Sequence, residues 1–375
     1  MKWLSVVGAR PQFVKAAAVC RAVAEYNAAG GEIQHMLLHT GQHYDWNMSG
    51  AFFEQMSIPA PDFNLGVGSG PHGAQIAAML AGIDEVILDM RPDVVIVYGD
   101  TNSTLAGALA ACKAPCLAAH VEAGLRCGNR RMAEEINRIV ADHVCGLLFC
   151  PTAGAVENLR REGLGDRAVF TGDVMLDALF HAGAVSGRTM AGDSEPESAG
   201  GALARLGLKK KRYFLATIHR AENTDTPGRL SALLNALEGL AKIMPVVIPL
   251  HPRTKHRMRE MKLAAPRAVM MIEPVSYFDM LSLEGNAALV MTDSGGVQRE
   301  AYFLGTPAVI AREETEWPET LQSGLCRLAG AEPAAIIAAA ETLLAAPGAK
   351  PDLEAFGGGR AAARIVSLIA RSTPT

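Results

Sequence analysis

The fold is decided by a pattern that is clearest at residues 94–102, VVIVYGDTN. The apolar run predicts a buried strand, and the turn that follows it leads into a segment long enough for a helix. A strand, a turn and a helix in this order are typical of βαβ units, in which helices cover both faces of a parallel sheet. The same pattern recurs in the first half of the chain, with strand-like runs at 4–7, 36–39, 116–121 and 147–150.

A second series of the same kind follows the middle of the chain. Residues 186–201 are rich in Gly, Ser, Glu and Pro without a hydrophobic period, which indicates a surface segment at a domain junction. Strand-like runs are then predicted at 213–217, 246–249, 269–272, 288–292 and 308–311, and helices at 334–346 and 360–371. We therefore predict an α/β protein with two doubly wound, Rossmann-like domains, 1–180 and 181–358. They should face a cleft, because such sheets bind ligands outside the carboxyl ends of their strands.

Composition narrows the class of function. The 375 residues are 49% hydrophobic and 20% charged, with a formal net charge of −4, so no basic field points to nucleic acid or an anionic membrane. The apolar run 4–7 is too short for an export signal, and no stretch has the ~18 apolar residues of a membrane span. Seven scattered cysteines favour neither a disulfide framework nor a metal site. We expect a cytoplasmic protein.

Two cations stand where the first predicted strand turns into a helix. Pro11 fits the first position of that helix, so Arg10 and Lys15 lie near its beginning, where the helix dipole disfavours positive charge. This placement indicates an anionic partner such as a diphosphate. The alternative is that both are solvated surface charges. The turn lacks the G-x-G-x-x-G pattern of dinucleotide binding.

Three carboxylates lie on neighbouring turns of the first half. Asp100 follows one strand, and its alternative role is that of a helix N-cap. Glu122 follows the next strand, where an ion pair with Arg126 is the alternative. Glu134 begins a helix and has Arg138 four residues later as an ordinary partner. Together the three carboxylates could supply acids and bases for proton transfer on both faces of a sugar.

The most specific local signal is the segment 292–300, TDSGGVQRE, which joins a predicted strand to a helix. Gly295 and Gly296 allow backbone N–H groups to approach an anion at the helix N-terminus. Ser294 can cap the helix or donate to a phosphate, and Glu300 is placed to accept from ribose hydroxyls. A plain glycine-rich turn is the alternative.

Two further residues of the second half follow strands. His219 ends the run 213–217 and could bind a phosphate or move a proton, although a single histidine is more often structural. Arg312 follows the run 308–311 and could face the same anion as Ser294.

These segments, in this order, closely resemble the non-hydrolysing UDP-N-acetylglucosamine 2-epimerase family, and the match spans nearly the whole chain. Each motif alone is weak, whereas the set in register is very specific. The matching segments are GARP at 8–11, TGQH at 40–43, YGDT at 98–101, HVEAGLR at 120–126, EEINR at 134–138, HRAEN at 219–223, DSGG at 293–296 and TEWPE at 315–319.

The resemblance implies the glycosyltransferase-B fold, with the nucleotide sugar in the cleft and a C-terminal helix, here 359–375, that packs back on the first domain. It also implies chemistry without a metal or NAD cofactor. A base removes the C2 proton while UDP leaves, giving a 2-acetamidoglucal; UDP then re-adds, and C2 is reprotonated from the other face. By their motifs, the catalytic positions are Asp100, Glu122, Glu134 and His219. The UDP-binding positions are Arg10, Lys15, Arg138, His219, Ser294, Gly295, Gly296, Glu300 and Arg312.

The partner implied by the resemblance is a UDP-sugar, with UDP-N-acetylglucosamine converted to UDP-N-acetylmannosamine. We expect a homodimer that acts in cell-surface polysaccharide biosynthesis. Three other functions stay open: a hydrolysing relative, a glycosyltransferase of the same fold, and a non-catalytic nucleotide-sugar sensor. The last two have no need of all three carboxylates.

Two departures from the family pattern affect regulation and substrate. Members regulated by UDP-N-acetylglucosamine typically read HRREN where this chain has Ala221, and an arginine-bearing loop is replaced by residues 67–72, VGSGPH. In addition, HYD at 43–45, RMAE at 131–134 and GDV at 172–174 look more like the branch that acts on UDP-2,3-diacetamido-2,3-dideoxyglucuronate.

Overall fold

The computed structural model describes residues 1–42, 58–185, 201–346 and 348–372. Residues 43–45, which carry the HYD motif, and 186–200, nearly all of the predicted junction, lie outside the described residues. The chain forms two compact units, one of Met1–Ala182 with Leu353–Thr375 and the other of Gly183–Asp352. Within the described ranges, no helix is long and apolar enough to cross a membrane.

The first unit is built on a sheet of seven parallel strands. The strands are β1 (Lys2–Val7), β2 (Gln34–His39), β3 (Phe63–Asn64), β4 (Val94–Tyr98), β5 (Leu117–Val121), β6 (Leu147–Cys150) and β7 (Ala168–Phe170). The helices between them are α1 (Arg10–Ala28), α2 (His72–Met90), α3 (Asn102–Ala111), α4 (Ala133–Val144), α5 (Ala153–Arg161) and α6 (Val174–Val185). The strand order is β3-β2-β1-β4-β5-β6-β7. All residues of β4 are buried, as expected for a central strand that helices cover on both sides.

The second unit repeats this plan with six parallel strands. They are β8 (Phe214–Thr217), β9 (Val246–Pro249), β10 (Val269–Ile272), β11 (Leu289–Thr292), β12 (Ala308–Ile310) and β13 (Cys326–Leu328), in the order β10-β9-β8-β11-β12-β13. The helices are α7 (Ala202–Arg205), α8 (Ala221–Thr224), α9 (Pro227–Ala241), α10 (Pro252–Glu260), α11 (Tyr277–Asn286), α12 (Gly295–Phe303), α13 (Pro318–Gln322) and α14 (Pro333–Ala345). Leucines of α9 form much of the core.

The end of the chain belongs to the first unit. Helix α15 (Ala361–Ser372) packs against α1, and the Asp177 carboxylate accepts from the first backbone N–H groups of α15, those of Ala361 (3.1 Å) and Ala362 (2.8 Å). The sequence places the second domain boundary at 358, whereas the contacts place Leu353 and the residues after it in the first unit. One reason is that Phe356 is fully buried there and accepts a hydrogen bond from Asp173 N.

In each sheet the strand order reverses beside the first strand. The reversal lies between β1 and β4 in one unit and between β8 and β11 in the other. Ligands of open α/β sheets bind at such switch points, outside the carboxyl ends of the strands. The prediction of two doubly wound α/β domains is confirmed. The sequence analysis missed β3, β7 and β13, because edge strands of two or three residues are too short to show a hydrophobic pattern.

Candidate active site

The turns after β1 and β4, which flank the switch point of the first unit, are joined by one buried glutamine. The Oε1 atom of Gln12 accepts from the backbone N–H groups of Gly8 (2.8 Å) and Ala9 (3.0 Å). Its Nε2 atom donates to Tyr98 O (2.8 Å) and to Thr104 Oγ1 (3.0 Å). These two backbone N–H groups at the start of α1 are therefore engaged within the protein. Sequence reasoning missed Gln12, although it directly follows the first motif, GARP at 8–11.

The Lys15 ammonium is committed to Glu122 in this structure. Its Nζ atom lies 2.5 Å from Glu122 Oε1, and both side chains are buried. An added Cβ at Gly99 would lie 2.7 Å from Lys15 Nζ, so glycine at this position leaves room for the ion pair. Glu122 has a left-handed backbone with φ +75°, which is strained for a residue with a side chain and is most often found at functional sites.

Arg138 holds the second carboxylate. Its Nη1 atom lies 2.5 Å from Asp100 Oδ2, and its Nη2 atom lies 2.6 Å from Glu135 Oε2. The guanidinium is buried, whereas the Asp100 side chain remains 30% exposed at the end of β4. Desolvation raises the pKa of Asp100, with smaller contributions from the Glu122 and Glu134 carboxylates, although the Arg138 and Lys15 cations act in the opposite direction. The site therefore favours a protonated Asp100 more than water does.

Glu135 is the structural carboxylate of this cluster. It accepts from Arg138, from Gly128 N (2.8 Å) and from Cys127 N (3.2 Å). Although desolvation opposes ionisation, Arg138 and these two N–H groups hold the pKa of Glu135 below its usual value. Glu134, one residue earlier in the first turn of α4, is exposed, and its carboxylate makes no hydrogen bond or ion pair with the part of the chain that the structure describes.

The ordinary roles considered for the three carboxylates are wrong. Thr101, and not Asp100, caps α3 by accepting from Thr104 N. Glu122 pairs with Lys15, while Arg126 pairs with other carboxylates. Arg138 pairs with Glu135 three residues before it, because its buried donors face Asp100 and Glu135. In this structure none of the three carboxylates has the structural role that the sequence alone offered for it.

The second unit places His219 at the end of β8. Asp293, fully buried after β11, accepts from the backbone N–H groups of His219 (3.1 Å) and Arg220 (3.0 Å) and from Asn223 Nδ2 (3.0 Å). The His219 ring stays 37% exposed and lies 5.2 Å, between centroids, from the ring of His251. Asp293 and Asn223 are thus scaffold residues that hold this loop. The sequence analysis quoted both in motifs without giving them a role.

The beginning of α12 is shaped by its two glycines. Ser294 is the N-cap and accepts from Val297 N. An added Cβ at Gly295 would lie 2.6 Å from Glu316 Oε1, so a side chain there would displace the Glu316 carboxylate. An added Cβ at Gly296 would meet only Ser294 Oγ, at 3.7 Å. Because the protein does not fill the space beside Gly296, the N–H groups of this turn can be approached from outside.

The last two predicted UDP-binding residues are buried. Glu300 lies in the second turn of α12. Arg312 follows β12 and donates from Nη1 to Glu316 Oε2 (2.8 Å). Its Nη2 atom is also buried and has no hydrogen-bond partner among the described residues. Arg312 is therefore held mainly by Glu316, which also lies beside Gly295 and Arg220.

No group of three or more His, Cys, Asp or Glu side chains that could hold a metal ion occurs within residues 1–42, 58–185, 201–346 and 348–372. In the first unit the candidate site brings together Lys15, Asp100, Glu122 and Arg138, with Arg10 at the beginning of α1 and Glu134 in the first turn of α4. In the second unit His219 and the Ser294–Gly296 turn follow neighbouring strands, with Glu300 in the second turn of α12 and Arg312 after β12.

Two Rossmann-like units, with carboxylates at one switch point and a glycine-rich helix N-terminus at the other, define an enzyme of the nucleotide-binding α/β class. The family described as UDP-N-acetylglucosamine 2-epimerase matches residues 25–370. The chain belongs to this family, whose members are isomerases.

Individual relatives agree with this assignment. The UDP-2,3-diacetamido-2,3-dideoxy-D-glucuronate 2-epimerase of Pseudomonas aeruginosa is 45% identical over 99% of this chain and 100% of its own length. The Methanocaldococcus jannaschii UDP-GlcNAc 2-epimerase in complex with UDP-GlcNAc and UDP has a TM-score of 0.90 at 38% identity, covering 99% of this chain and 100% of that chain. The Neisseria meningitidis UDP-GlcNAc 2-epimerase bound to UDP-GlcNAc has a TM-score of 0.87 at 28% identity, with 99% and 100% coverage. The fold is that of the glycosyltransferase-B type.

Proposed function

We propose that this enzyme inverts C2 of a UDP-linked 2-acetamido sugar without net hydrolysis. The observation that carries the proposal is the pair of differently held carboxylates at the first switch point. Glu122 is buried and its Oε1 atom lies 2.5 Å from Lys15 Nζ, whereas Asp100 is 30% exposed, lies 2.5 Å from Arg138 Nη1 and has a pKa that desolvation raises. Two carboxylates in such different surroundings suit the roles of acid and base.

The reaction then proceeds in two balanced steps. A carboxylate takes the C2 proton as the C1–O bond breaks, and the electron pair of that bond leaves with UDP, which gives a 2-acetamidoglucal. A UDP oxygen next adds to C1 while an acid returns a proton to the opposite face of C2. Glu122, Asp100 and Glu134 are the proposed proton-transfer groups, with His219 as a further catalytic group.

The proposed binding of UDP uses both charge and backbone. The N–H groups at the start of α12, beside Gly295 and Gly296, are suited to the diphosphate because a helix N-terminus favours anions. Ser294 and His219 follow the neighbouring strands β11 and β8, and Glu300 is the proposed acceptor for the ribose hydroxyls. Arg10, Lys15, Arg138 and Arg312 are the proposed cationic contributors. Lys15, Arg138 and Arg312 each have a carboxylate partner in this structure.

Deuterated water tests the mechanism. With UDP-N-acetylglucosamine and no acceptor, the enzyme should form the C2 epimer of the UDP-sugar carrying deuterium at C2, as observed by NMR. Epimer with its original C2 proton would contradict elimination. Free sugar with UDP would identify a hydrolysing enzyme, and no reaction with any candidate UDP-sugar would favour a transferase or a sensor.

Variants of the carboxylates test their roles. Asp100→Asn, Glu122→Gln and Glu134→Gln should each lower kcat by at least the ~10²-fold typical of acid–base groups, with UDP binding largely kept. Glu122→Gln also leaves Lys15 buried without its counter-charge, so its thermal unfolding must be measured beside kcat. Glu157→Gln, on the exposed pair with Arg160, is the matched control and should leave kcat unchanged. Normal turnover in one of the three carboxylate variants would contradict the proposed role of the residue that it replaces.

A specific observation favours a uronic acid sugar as substrate. The diacetamido-glucuronate epimerase is 45% identical to this chain, and Arg130 and Arg131 are exposed on the loop before α4, close in sequence to Glu134. A C6 carboxylate is an anion that arginine binds well. Arg131→Ala should raise KM for UDP-2,3-diacetamido-2,3-dideoxyglucuronate and leave KM for UDP-N-acetylglucosamine unchanged. If the unaltered enzyme turned over UDP-N-acetylglucosamine much faster than UDP-2,3-diacetamido-2,3-dideoxyglucuronate, the proposal of a uronic acid substrate would be wrong.

The family resemblance alone supports the remaining part of the proposal: a cytoplasmic homodimer that supplies a sugar for cell-surface polysaccharides. Light scattering on the purified protein should give twice the 39.6 kDa of one chain. A monomeric mass at working concentration would contradict the dimer.

A further inference from the structure

A buried histidine stands directly behind the candidate acid–base groups and has no role in the reaction proposed above. His120 lies on β5, two residues before Glu122, with none of its side chain exposed. Its Nε2 atom lies 2.7 Å from Gly99 O, and its Nδ1 atom lies 2.7 Å from Asp142 Oδ1. A carbonyl oxygen only accepts hydrogen bonds, so Nε2 must carry a proton.

The other ring nitrogen faces a buried carboxylate. Asp142 Oδ2 accepts from Arg126 Nη1 (2.7 Å) and from Gly124 N (3.1 Å). Burial opposes ionisation of Asp142, but His120 and Arg126 together hold the pKa of this carboxyl below its usual value. Both ring nitrogens of His120 therefore have partners inside the protein, and Asp142 fixes the orientation of the ring.

The carboxylate that holds the ring is itself paired. Arg126 bridges Asp142 to Glu162, to which it donates two hydrogen bonds of 2.8 Å. The Arg126 guanidinium thus compensates the desolvation of the buried Asp142 carboxylate. Burial raises the pKa of the neighbouring thiols Cys145 and Cys150, so they stay neutral. On the other side of Gly99 lies the Lys15–Glu122 ion pair.

The carbonyl that His120 holds belongs to the peptide bond between Gly99 and Asp100. Gly99 N donates to Val121 O (2.9 Å), and the next carbonyl, Asp100 O, accepts from Asn137 Nδ2 (2.9 Å). Gly99 itself has φ +64°, so its flanking peptides depend on such bonds for their direction. We propose that His120, oriented by Asp142, is a positioning residue that fixes the Gly99–Asp100 peptide and thereby aims the Asp100 carboxyl group at the substrate. This proposal rests on the proposed role of Asp100.

Two substitutions separate the two ring nitrogens. The amide of Gln reaches the position of Nε2 and can still donate to Gly99 O, whereas the amide of Asn reaches that of Nδ1 and cannot. His120→Gln should keep kcat within about threefold, and His120→Asn should lower kcat about 10- to 100-fold, because small misplacements of reacting groups have effects of this size. The Kd for UDP should stay unchanged in both. His35→Asn, which removes a partner of Ser5 at the other end of the same sheet, is the control and should keep kcat. Equal kcat for the two His120 variants would overturn the proposal.

The hydrogen bond from Nε2 is measured in the unaltered enzyme and needs neither a folded variant nor turnover. Long-range ¹H–¹⁵N spectra should show Nε2 of His120 protonated, and an unprotonated Nε2 would overturn the hydrogen bond to Gly99 O. In Asp142→Asn, Nε2 should still donate to Gly99 O, so kcat should fall far less than in His120→Asn. If the unaltered enzyme epimerises no UDP-sugar, the proposed function fails, while these spectra still decide the state of His120.

Discussion

At the scale of single residues, the candidate site depends on the absence of a side chain at Gly99. Gly99 separates strand β4 from Asp100, and the Lys15–Glu122 ion pair lies where its Cβ would be. The two partners of that pair are 107 positions apart in the chain, so nothing local in the sequence reveals the pairing. Glycine at this position thus serves both the turn, with φ +64°, and the electrostatics.

Gly99→Ala should impair catalysis more than stability. A left-handed alanine costs about 1 to 2 kcal/mol of folding free energy, and the new Cβ should displace Lys15 from Glu122 and lower kcat at least about tenfold. Gly163→Ala is the matched control, because Gly163 has a similar φ of +78° and no atom within 4 Å of the added Cβ. Chemical denaturation and steady-state kinetics of both variants check this. Equal kcat in the two variants would show that the contact is unimportant.

At the scale of elements, helix α12 carries the proposed diphosphate site. Its N-terminus follows the central strand β11, and Ser294 and Thr292 organise the turn, since Ser294 N donates to Thr292 Oγ1 (2.9 Å). The two glycines differ: Gly295 faces Glu316 inside the protein, while the space beside Gly296 is open. An alanine at Gly296 therefore tests for a ligand and not for packing.

Gly296→Ala should weaken UDP binding at least about tenfold while keeping or slightly raising stability, because alanine is favoured over glycine in a helix by about 0.5–1 kcal/mol. Gly285→Ala in α11, where the added Cβ makes only ordinary contacts with Leu304, should leave the Kd for UDP unchanged. Calorimetric titration with UDP and thermal unfolding of both variants provide the measurements. Unaltered UDP affinity in Gly296→Ala would place the anion site elsewhere.

The segment 67–72 and helix α8 bear on regulation. Gly68 O accepts from Gln75 Nε2 (2.7 Å), and His72 contacts Asn102, so these two contacts tie the segment to the first unit. The segment contains no arginine or lysine, and α8 begins with Ala221 where regulated members of the family place an arginine. A second diphosphate would need such cations.

We therefore expect no second nucleotide-sugar site. Rate should depend hyperbolically on substrate concentration, and another UDP-sugar should be turned over without added UDP-N-acetylglucosamine. Initial-rate measurements with and without trace UDP-N-acetylglucosamine check this. A sigmoidal curve or an absolute requirement for that nucleotide sugar would contradict the expectation.

At the scale of the whole molecule, the first unit is completed only by the last part of the chain. Helix α15 packs on α1, and Asp177 of α6 caps its N-terminus. Glycines allow the returning chain to come close, since an added Cβ at Gly172 would lie 2.7 Å from Gly357 Cα. Contacts between residues so distant in sequence slow folding, because the loop between them must close first.

Asp177→Ala should lower the free energy of unfolding by about 1 to 3 kcal/mol, because two N–H groups of α15 lose their acceptor. Asp177→Asn keeps one acceptor and should be less affected. Desolvation raises the pKa of Asp177 in the folded protein, so its stabilising contribution is fully present below the unfolded value of about 3.9 and declines as pH rises through the folded pKa. The Asn variant should therefore gain stability relative to the unaltered protein as the pH rises above about 4. Denaturant unfolding at several pH values measures this. If the unfolding free energies of Asp177→Asn and the unaltered protein changed in parallel with pH, the expected direction would be wrong.

The sequence by itself determined the elements, their parallel arrangement and the strand ends at which the functional motifs lie. Strand β4 and the turn after it are readable because a buried strand must be apolar and a ligand-facing turn needs glycine and polar groups. Tertiary structure alone decided which polar side chains from different elements meet: Lys15 with Glu122, Arg138 with Asp100, and His120 with Asp142. Local spacing suggested Glu122–Arg126 and Glu134–Arg138 instead. A buried ion pair forms where folding brings two desolvated groups together, and most of these partners lie on different elements of the sheet and its helices.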